Sequence, residues 1–368
     1  MSGNALAFFP WWDIGNPLEI DSLRLLPYEY GKQPGDIGSI AQKDIDGVLG
    51  SYRNLPRTRI RKATLLEVNG WRSGLEPDAF LGSMFDAREV IAFSALSERQ
   101  LFVSSYSYCS FDTFSLVVQR YDPAAPERFA YSTRRRDGGT TNLWTSREFG
   151  FSRPLHVSQH DRPVLNVGLL KALLASGKSH WLDAIRDFNR ANTDSNDVSP
   201  HVELVMMKSA FESLLEIGEK RIDFERSLQR VLSDIEPING CSGPLLEKWR
   251  SRVEKERPLL AWAHDFCDRR GSAAHGGQRG HSRFVWSEHA HLAFASILFP
   301  LLVKKIASGD GLFELSVDDV ETLRRIDRYV LYDPFVPKES VRDKHPWSKI
   351  REEILLAKIA AGLRTRNL

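Results

Sequence analysis

The string Phe266-Cys267-Asp268-Arg269-Arg270-Gly271-Ser272-Ala273-Ala274-His275-Gly276-Gly277 sets a guanidinium, Arg270, five positions before an imidazole, His275, with only small residues between them. Histidine exchanges protons near neutral pH. Arginine stays charged and holds two phosphate oxygens at once. Together they suit cleavage of RNA by transesterification. That reaction needs a base near the ribose 2′-hydroxyl and a cation where charge builds on the phosphorane. With both roles filled by side chains, no metal and no other cofactor is required.

Other residues invite different chemistry. His264-Asp265 suggests a helical metal phosphohydrolase, which needs a further upstream His and a distant Asp. The nearest upstream histidine, His201, is awkwardly far away. His281, His289 and His291 suggest a metal cluster. Residues two apart on a helix diverge by about 200°, however, so His289 and His291 do not chelate together and read as surface histidines.

The elements that must position Arg270 and His275 are helices. From about Leu165 apolar residues recur at helical spacing. Helices are expected over Leu165–Leu174, His180–Asn192, Val202–Ile217, Phe224–Ile235, Leu245–Arg270, Val285–Ala307 and Asp318–Leu331, with a last one from about Ser348 to Leu363. Ser199 reads as an N-cap with Pro200 at the first helical position, and Gly218 and Gly276 as helix ends. Val202–Ile217 is apolar on most of its surface and reads as a central helix. Upstream, Leu101–Tyr106, Phe114–Tyr121, Phe129–Arg136 and Thr140–Phe149 read as four strands in a meander, with Asp137-Gly138 as a hairpin turn. Residues 1–98 read only as mixed α and β.

The helix sets a geometric problem. Residues five apart on an ideal helix point about 140° apart. Either the helix breaks between Arg270 and His275, which Gly271 permits, or a second copy of the motif faces the first in a homodimer.

The segment resembles the Arg-x(4–6)-His motif of the HEPN superfamily, in particular its Apea-like branch, where a similar Arg…His-Gly string closes a helix. Ala210-Phe211-Glu212-Ser213-Leu214-Leu215 is similar to that branch's central helix. The resemblance covers roughly residues 165–308. It implies a helical bundle that dimerises and sets two Arg–His pairs in one cleft. It implies endoribonuclease activity on tRNA or phage transcripts, in defence or toxin–antitoxin settings. Arg270 takes the phosphate-clamping role and His275 the acid/base role. Gly271 stands where the family commonly has a polar residue, with Ser272 one step later. That departure favours the alternative, a non-catalytic dimerising module that binds RNA or a protein.

Around the pair, Glu212, Asp268 and Ser272 are the candidate supporting residues. Glu212 either orients Arg270 or is an exposed carboxylate. Arg269, Arg279 and Arg283 are candidate RNA contacts, with Arg269 equally readable as a surface charge. Arg134-Arg135-Arg136 forms either a charged hairpin tip or an RNA-guiding one.

Composition bounds these readings. The chain has 368 residues, 42% apolar and 27% charged, with nine Trp and twenty Phe, which excludes a disordered protein. A net charge of +2 leaves nucleic-acid binding to local basic runs, including Arg57–Lys62. Three cysteines without short spacings argue against disulfides and zinc knuckles and for a reducing, cytoplasmic setting. Phe8-Phe9-Pro10-Trp11-Trp12 does not read as a signal peptide. The apolar run Leu292–Val303, interrupted by Pro300, reads as a buried helix rather than a membrane span. The expected class is α+β: a β-containing domain over 1–160, an all-α HEPN-like bundle over 165–308 and a helical extension over 309–368.

Overall fold

The computed structural model describes residues 4–32, 40–55, 57–102, 108–127, 130–134, 136–137, 140–144, 150–158, 162–237, 257–274, 284–335 and 346–366, with backbone alone for 130–134, 140–144, 272–274 and 361–366. The chain divides into two compact units. One comprises Met1–Arg99 and Tyr106–Leu165, the other Gln100–Ser105 and Asn166–Leu368. The first is sheet-containing and the second helical, so the protein is α+β.

Through its described residues the first unit runs β1 (Ala5–Phe9), β2 (Leu18–Ile20), β3 (Leu23–Glu29), α1 (Gln42–Leu49), β4 (Tyr52–Arg53), β5 (Lys62–Val68), α2 (Leu81–Leu96), β6 (Val117–Arg120), β7 (Ala130–Arg134), β8 (Thr140–Trp144) and β9 (Phe151–Ser152). Five strands form an antiparallel sheet in the order β2-β3-β5-β1-β6, with Phe8 opposite Leu65 and Ala7 opposite Val118. Side chains alternate across a strand. Leu6 and Phe8 therefore share a face, packed with Ile45 and Val48 of α1, while Phe9 points the other way onto Trp12 and Phe114.

Four of these five strands lie before residue 70, in the stretch read only as mixed. The reason is burial on both faces. All of β1 and all of β5 except Lys62 are buried, so neither shows the alternation that marks a half-exposed strand. The expected four-strand meander is corrected accordingly. Phe111–Phe114 is a short 3-10 turn, the strand after it begins at Val117, Leu101-Phe102 lies in a turn, and Val103–Tyr106 of the first expected strand lie outside the described residues. The hairpin at Asp137 does form, with Arg134 opposite Thr140.

The helical unit contains α3 (Val167–Ser176), α4 (Ser179–Arg190), α5 (Pro200–Leu215), α6 (Arg221–Val231), α7 (Pro258–Ala274), α8 (Glu288–Gly309), α9 (Val317–Arg324), α10 (Ile326–Tyr329) and α11 (Pro346–Arg366). α5 is central, packing on α4, α6, α7 and α8. Its Phe211 ring meets Phe224, Trp262, Phe266 and Phe299. Ser199 caps α5 by conformation, with Pro200 at its first position. The helix ends at Glu216, in left-handed backbone at φ 52°, two residues before the Gly218 expected to stop it.

Residues 309–368 are not a separate appendage. They belong to the same compact unit as the bundle. Lys304 of α8 pairs with buried Asp319 of α9 at 2.8 Å. Asp327 of α10 receives Arg257 Nε at 2.8 Å and the Leu259 amide at 3.1 Å, so it caps the start of α7. Glu353 of α11 takes Arg328 of α10.

α8 has 22 residues and is the one helix among those described that is long and apolar enough to cross a membrane. Two thirds of its apolar stretch is buried, 67%, with Phe294, Leu298 and Phe299 in the core around α5.

Candidate functional site

Arg270 sits one turn before the end of α7, on a flank between the buried face and solvent. Its side chain is 17% exposed. Among the described residues its one ion-pair partner is Glu219, whose carboxylate is 79% exposed and 3.7 Å away, and the Arg270 Nε makes no hydrogen bond. The side chain is thus partly exposed, with its Nε buried.

The helix does not break at Gly271. It continues through Ala274 with Gly271 in non-left-handed backbone, and a Cβ at Gly271 would meet nothing within 4 Å. The option that Gly271 bends the chain to re-aim Arg270 is thereby corrected: its backbone is not left-handed, and the turns of α7 before it carry the helix on to Ala274. His275, Arg279, Arg283 and Arg135 lie outside the described residues, as does Gly276, and so do the side chains of Ser272 and Arg134. Arg136 is exposed.

The supporting carboxylates have other partners. Glu212 is held by Lys208, one turn earlier on α5, at 2.6 Å, and is neither an exposed carboxylate nor bonded to Arg270. Lys208 is itself buried, its ammonium over the Phe224 ring at 5.0 Å. Asp268 pairs with Arg221 at 3.2 Å and lies 3.6 Å from His264. His264 in turn meets Glu225 at 3.3 Å and Arg221 at 2.8 Å. A band of alternating charge from α5, α6 and α7 thus flanks Arg270. Cys267 lies within it, and burial pushes its thiol up to about 12, aided by Glu225, Glu212 and Asp268 against the opposing pull of Lys208. That thiol is not a nucleophile at neutral pH.

Arg269 is neither an RNA contact nor a surface charge. It is buried, with Nη2 3.0 Å from Glu288 and its guanidinium 4.5 Å over the Phe284 ring. The helical advance of about 100° per residue explains the contrast, turning Arg269 toward α8 while Arg270 stays on the flank.

The metal-hydrolase reading does not assemble. His264 and Asp265 face different partners, and among the described residues no group of three His, Cys, Asp or Glu side chains is placed to hold a metal ion. His201 pairs instead with Glu288 at 2.8 Å. His289 is exposed, but His291, expected at the surface, is fully buried and 3.0 Å from Asp265. Burial drives the His291 pKa down, outweighing the pull of Asp265, so the ring stays neutral. The signal was present in the sequence, because His291 precedes Phe294 and Leu298 by three and seven residues on one apolar helix face.

In the sheet unit, Arg59 stacks on Tyr30 at 4.7 Å and Lys62 pairs with Asp13 at 3.1 Å, so the basic run Arg57–Lys62 is partly committed to internal contacts. Compared with known proteins, the chain matches no family model, no curated protein and no solved structure.

Proposed function

We propose that the helical unit is a HEPN-like, metal-independent endoribonuclease that works as a homodimer in the cytoplasm, with RNA such as tRNA or phage transcripts as substrate in a defence or toxin–antitoxin setting. The observation that carries the reading is the state of Arg270. It is partly exposed near the end of α7 and pairs with exposed Glu219 at 3.7 Å. A phosphate can displace Glu219 at small cost, since an exposed ion pair at that distance is worth at most about 1 kcal/mol.

In the reaction, one histidine removes the proton of the 2′-hydroxyl and O2′ attacks the adjacent phosphorus. Arg270 neutralises the charge that grows on the phosphorane oxygens. The P–O5′ bond breaks, and the leaving oxygen takes a proton from an imidazolium. The products are a 2′,3′-cyclic phosphate and a 5′-hydroxyl. Two motif copies facing each other would supply both histidines and overcome the divergence of about 140° along one helix. The test is incubation of purified protein with total RNA in EDTA, with mapping of the cut ends and light scattering at micromolar concentration. Cleavage to those ends by a dimer is expected. Strict dependence on magnesium or manganese, or 5′-phosphate ends, would sink the reading.

One observation favours a non-catalytic RNA- or protein-binding module. Gly271 faces open space and offers no polar side chain beside Arg270. RNA that is retained in a gel shift but never cut would establish that alternative.

A further inference from the structure

The charged band on α6 and α7 has no part in the chemistry above, and His264 lies at its centre. The ring stands between two groups of opposite charge. Its Nε2 is 2.8 Å from Arg221 Nη1, and its Nδ1 is 3.3 Å from Glu225 Oε1. Both partners belong to α6, one turn apart, and pair with each other at 3.5 Å. Asp268, one turn after His264 on α7, accepts from Arg221 at 3.2 Å and lies 3.6 Å from Nε2. Lys208 and Glu212 of α5, paired at 2.6 Å, complete the band.

These contacts fix the state of the ring. A guanidinium offers only donors. The nitrogen that meets Arg221 at hydrogen-bond distance therefore carries the lone pair, and the ring proton sits on Nδ1, toward the Glu225 carboxylate. A carboxylate behind Nδ1 holds that tautomer and stabilises the imidazolium once a proton reaches Nε2. A neutral imidazole with an accepting Nε2 is the form a general base needs. The cation in front of it is placed for an anion. Arg221 is 45% exposed and stands on the first turn of α6, where the helix dipole favours negative charge. Arg270 borders the same stretch of α7, because its partner Glu219 is two residues before Arg221 in the chain.

We propose that His264 is a catalytic base of the ribonuclease, with Glu225 as its positioning residue and Arg221 as the clamp on the phosphodiester. The inference rests on the ribonuclease reading and gives it a proton acceptor on α7 itself. A phosphate oxygen draws Arg221 off Nε2. Nε2 then takes the 2′-hydroxyl proton, O2′ forms its bond to phosphorus, and the P–O5′ bond breaks. The departing O5′ takes a proton from water, and the imidazolium gives its proton to the hydroxide so formed.

The experiment compares wild type with His264→Gln, Glu225→Gln and Arg221→Gln. Each is measured for kcat and KM on one RNA in EDTA, and by nitrogen NMR of the imidazoles with and without inorganic phosphate, the His264 signal being the one that His264→Gln removes. Expected in wild type is a His264 ring protonated on Nδ1, with an Nε2 signal that moves when phosphate is added. In Arg221→Gln phosphate should leave that signal unmoved, and KM should rise at least tenfold. In His264→Gln kcat should fall about 100-fold or more, with KM within threefold of wild type. Glu225→Gln should lower kcat by a smaller factor and loosen the tautomer, and it decides the matter if His264→Gln does not fold. A folded His264→Gln with unchanged kcat, or a wild-type ring protonated on Nε2, overturns the role of His264 and leaves the ribonuclease reading standing. A wild type that cuts no RNA overturns the ribonuclease reading, and the inference falls with it.

Discussion

Arg270 and Arg269 are neighbours with the same side chain, and the fold assigns them opposite fates. Arg269 is buried against Glu288 and Phe284, whereas Arg270 is 17% exposed and pairs with an exposed partner, Glu219; the Nε of both is buried without a hydrogen bond among the described residues. Under the proposed function, the second is the one that exchanges its partner for a phosphate. Arg270→Ala and His275→Ala are therefore expected to abolish cutting. Arg270→Ala should shift the melting temperature by no more than a few degrees, because it vacates a partly exposed flank. Near-native cleavage by a folded His275→Ala protein would remove its proton-transfer role. Gly271 can be tested separately. Its backbone is helical and its Cβ position is open, so Gly271→Ala should stabilise the protein by about 0.5–1 kcal/mol. Gly271→Asn should be tolerated too, and a higher cleavage rate in that variant would show that the missing polar group limits turnover. A lower melting temperature for Gly271→Ala would mean that the position needs glycine for a reason outside α7.

Among the elements, α5 shows how a local rule and the surrounding structure divide the work. Pro200 starts it as its fixed φ dictates, with Ser199 before it in extended backbone and without a side-chain capping bond. Its end falls on Glu216, a residue with a Cβ held in left-handed backbone, a conformation that disfavours L-residues by about 1–2 kcal/mol. The side chain returns little, being 73% exposed and 3.6 Å from His180. Glu216→Gly is thus expected to raise stability by about 1 kcal/mol, measured by urea unfolding. A loss of stability would show that the His180 contact is worth more than the backbone strain.

Over the whole molecule, two titrating groups set opposing slopes of stability with pH. His291 is buried neutral among Asp265, Arg269 and Asp333, and its folded pKa lies below the ordinary 6.5. Below pH 6.5 the unfolded chain takes up a proton that the folded one resists, so this contribution is lost as pH falls. Glu203 acts in the other sense. Burial, with Asp194 nearby, raises it from 4.5 to about 7, so its ionisation removes stability as pH climbs through that window. Glu203 is only half-buried, and after allowance for solvent its effect is about 1 kcal/mol. His291 is fully buried and should dominate on the acid side. Stability measured from pH 4.5 to 7.5 should rise with pH in wild type up to about 6.5, and more shallowly in His291→Gln. Glu203→Gln should gain stability near pH 7.5. An identical acid slope in His291→Gln would show that another group carries it.

How much of this was legible in advance follows from what each signal depends on. Helical periodicity, the Ser199-Pro200 start and the Asp137 hairpin are local, and the helices of the second half and that turn could be read from neighbouring residues alone. Arg270 and His275 stand as a proposed pair because their types and spacing name a chemistry; His275 lies outside the described residues. The main sheet was not, because β1 and β5 are buried on both faces and lack the alternation that marks a strand. Nor could the sequence separate Arg269 from Arg270 or place Glu212 with Lys208, since the partners in question are a helical turn or a whole element away. Asp265 and His291 are the clearest case. Twenty-six residues apart in the chain, they meet at 3.0 Å because side chains of α7 and α8 come together in the core, where Trp262 also meets His291 and Phe294. The sequence by itself determined which residues can do the chemistry and which segments coil. Only the tertiary structure decided which charges are buried in pairs and which one stays partly exposed, because burial and pairing are properties of packed faces rather than of neighbouring residues.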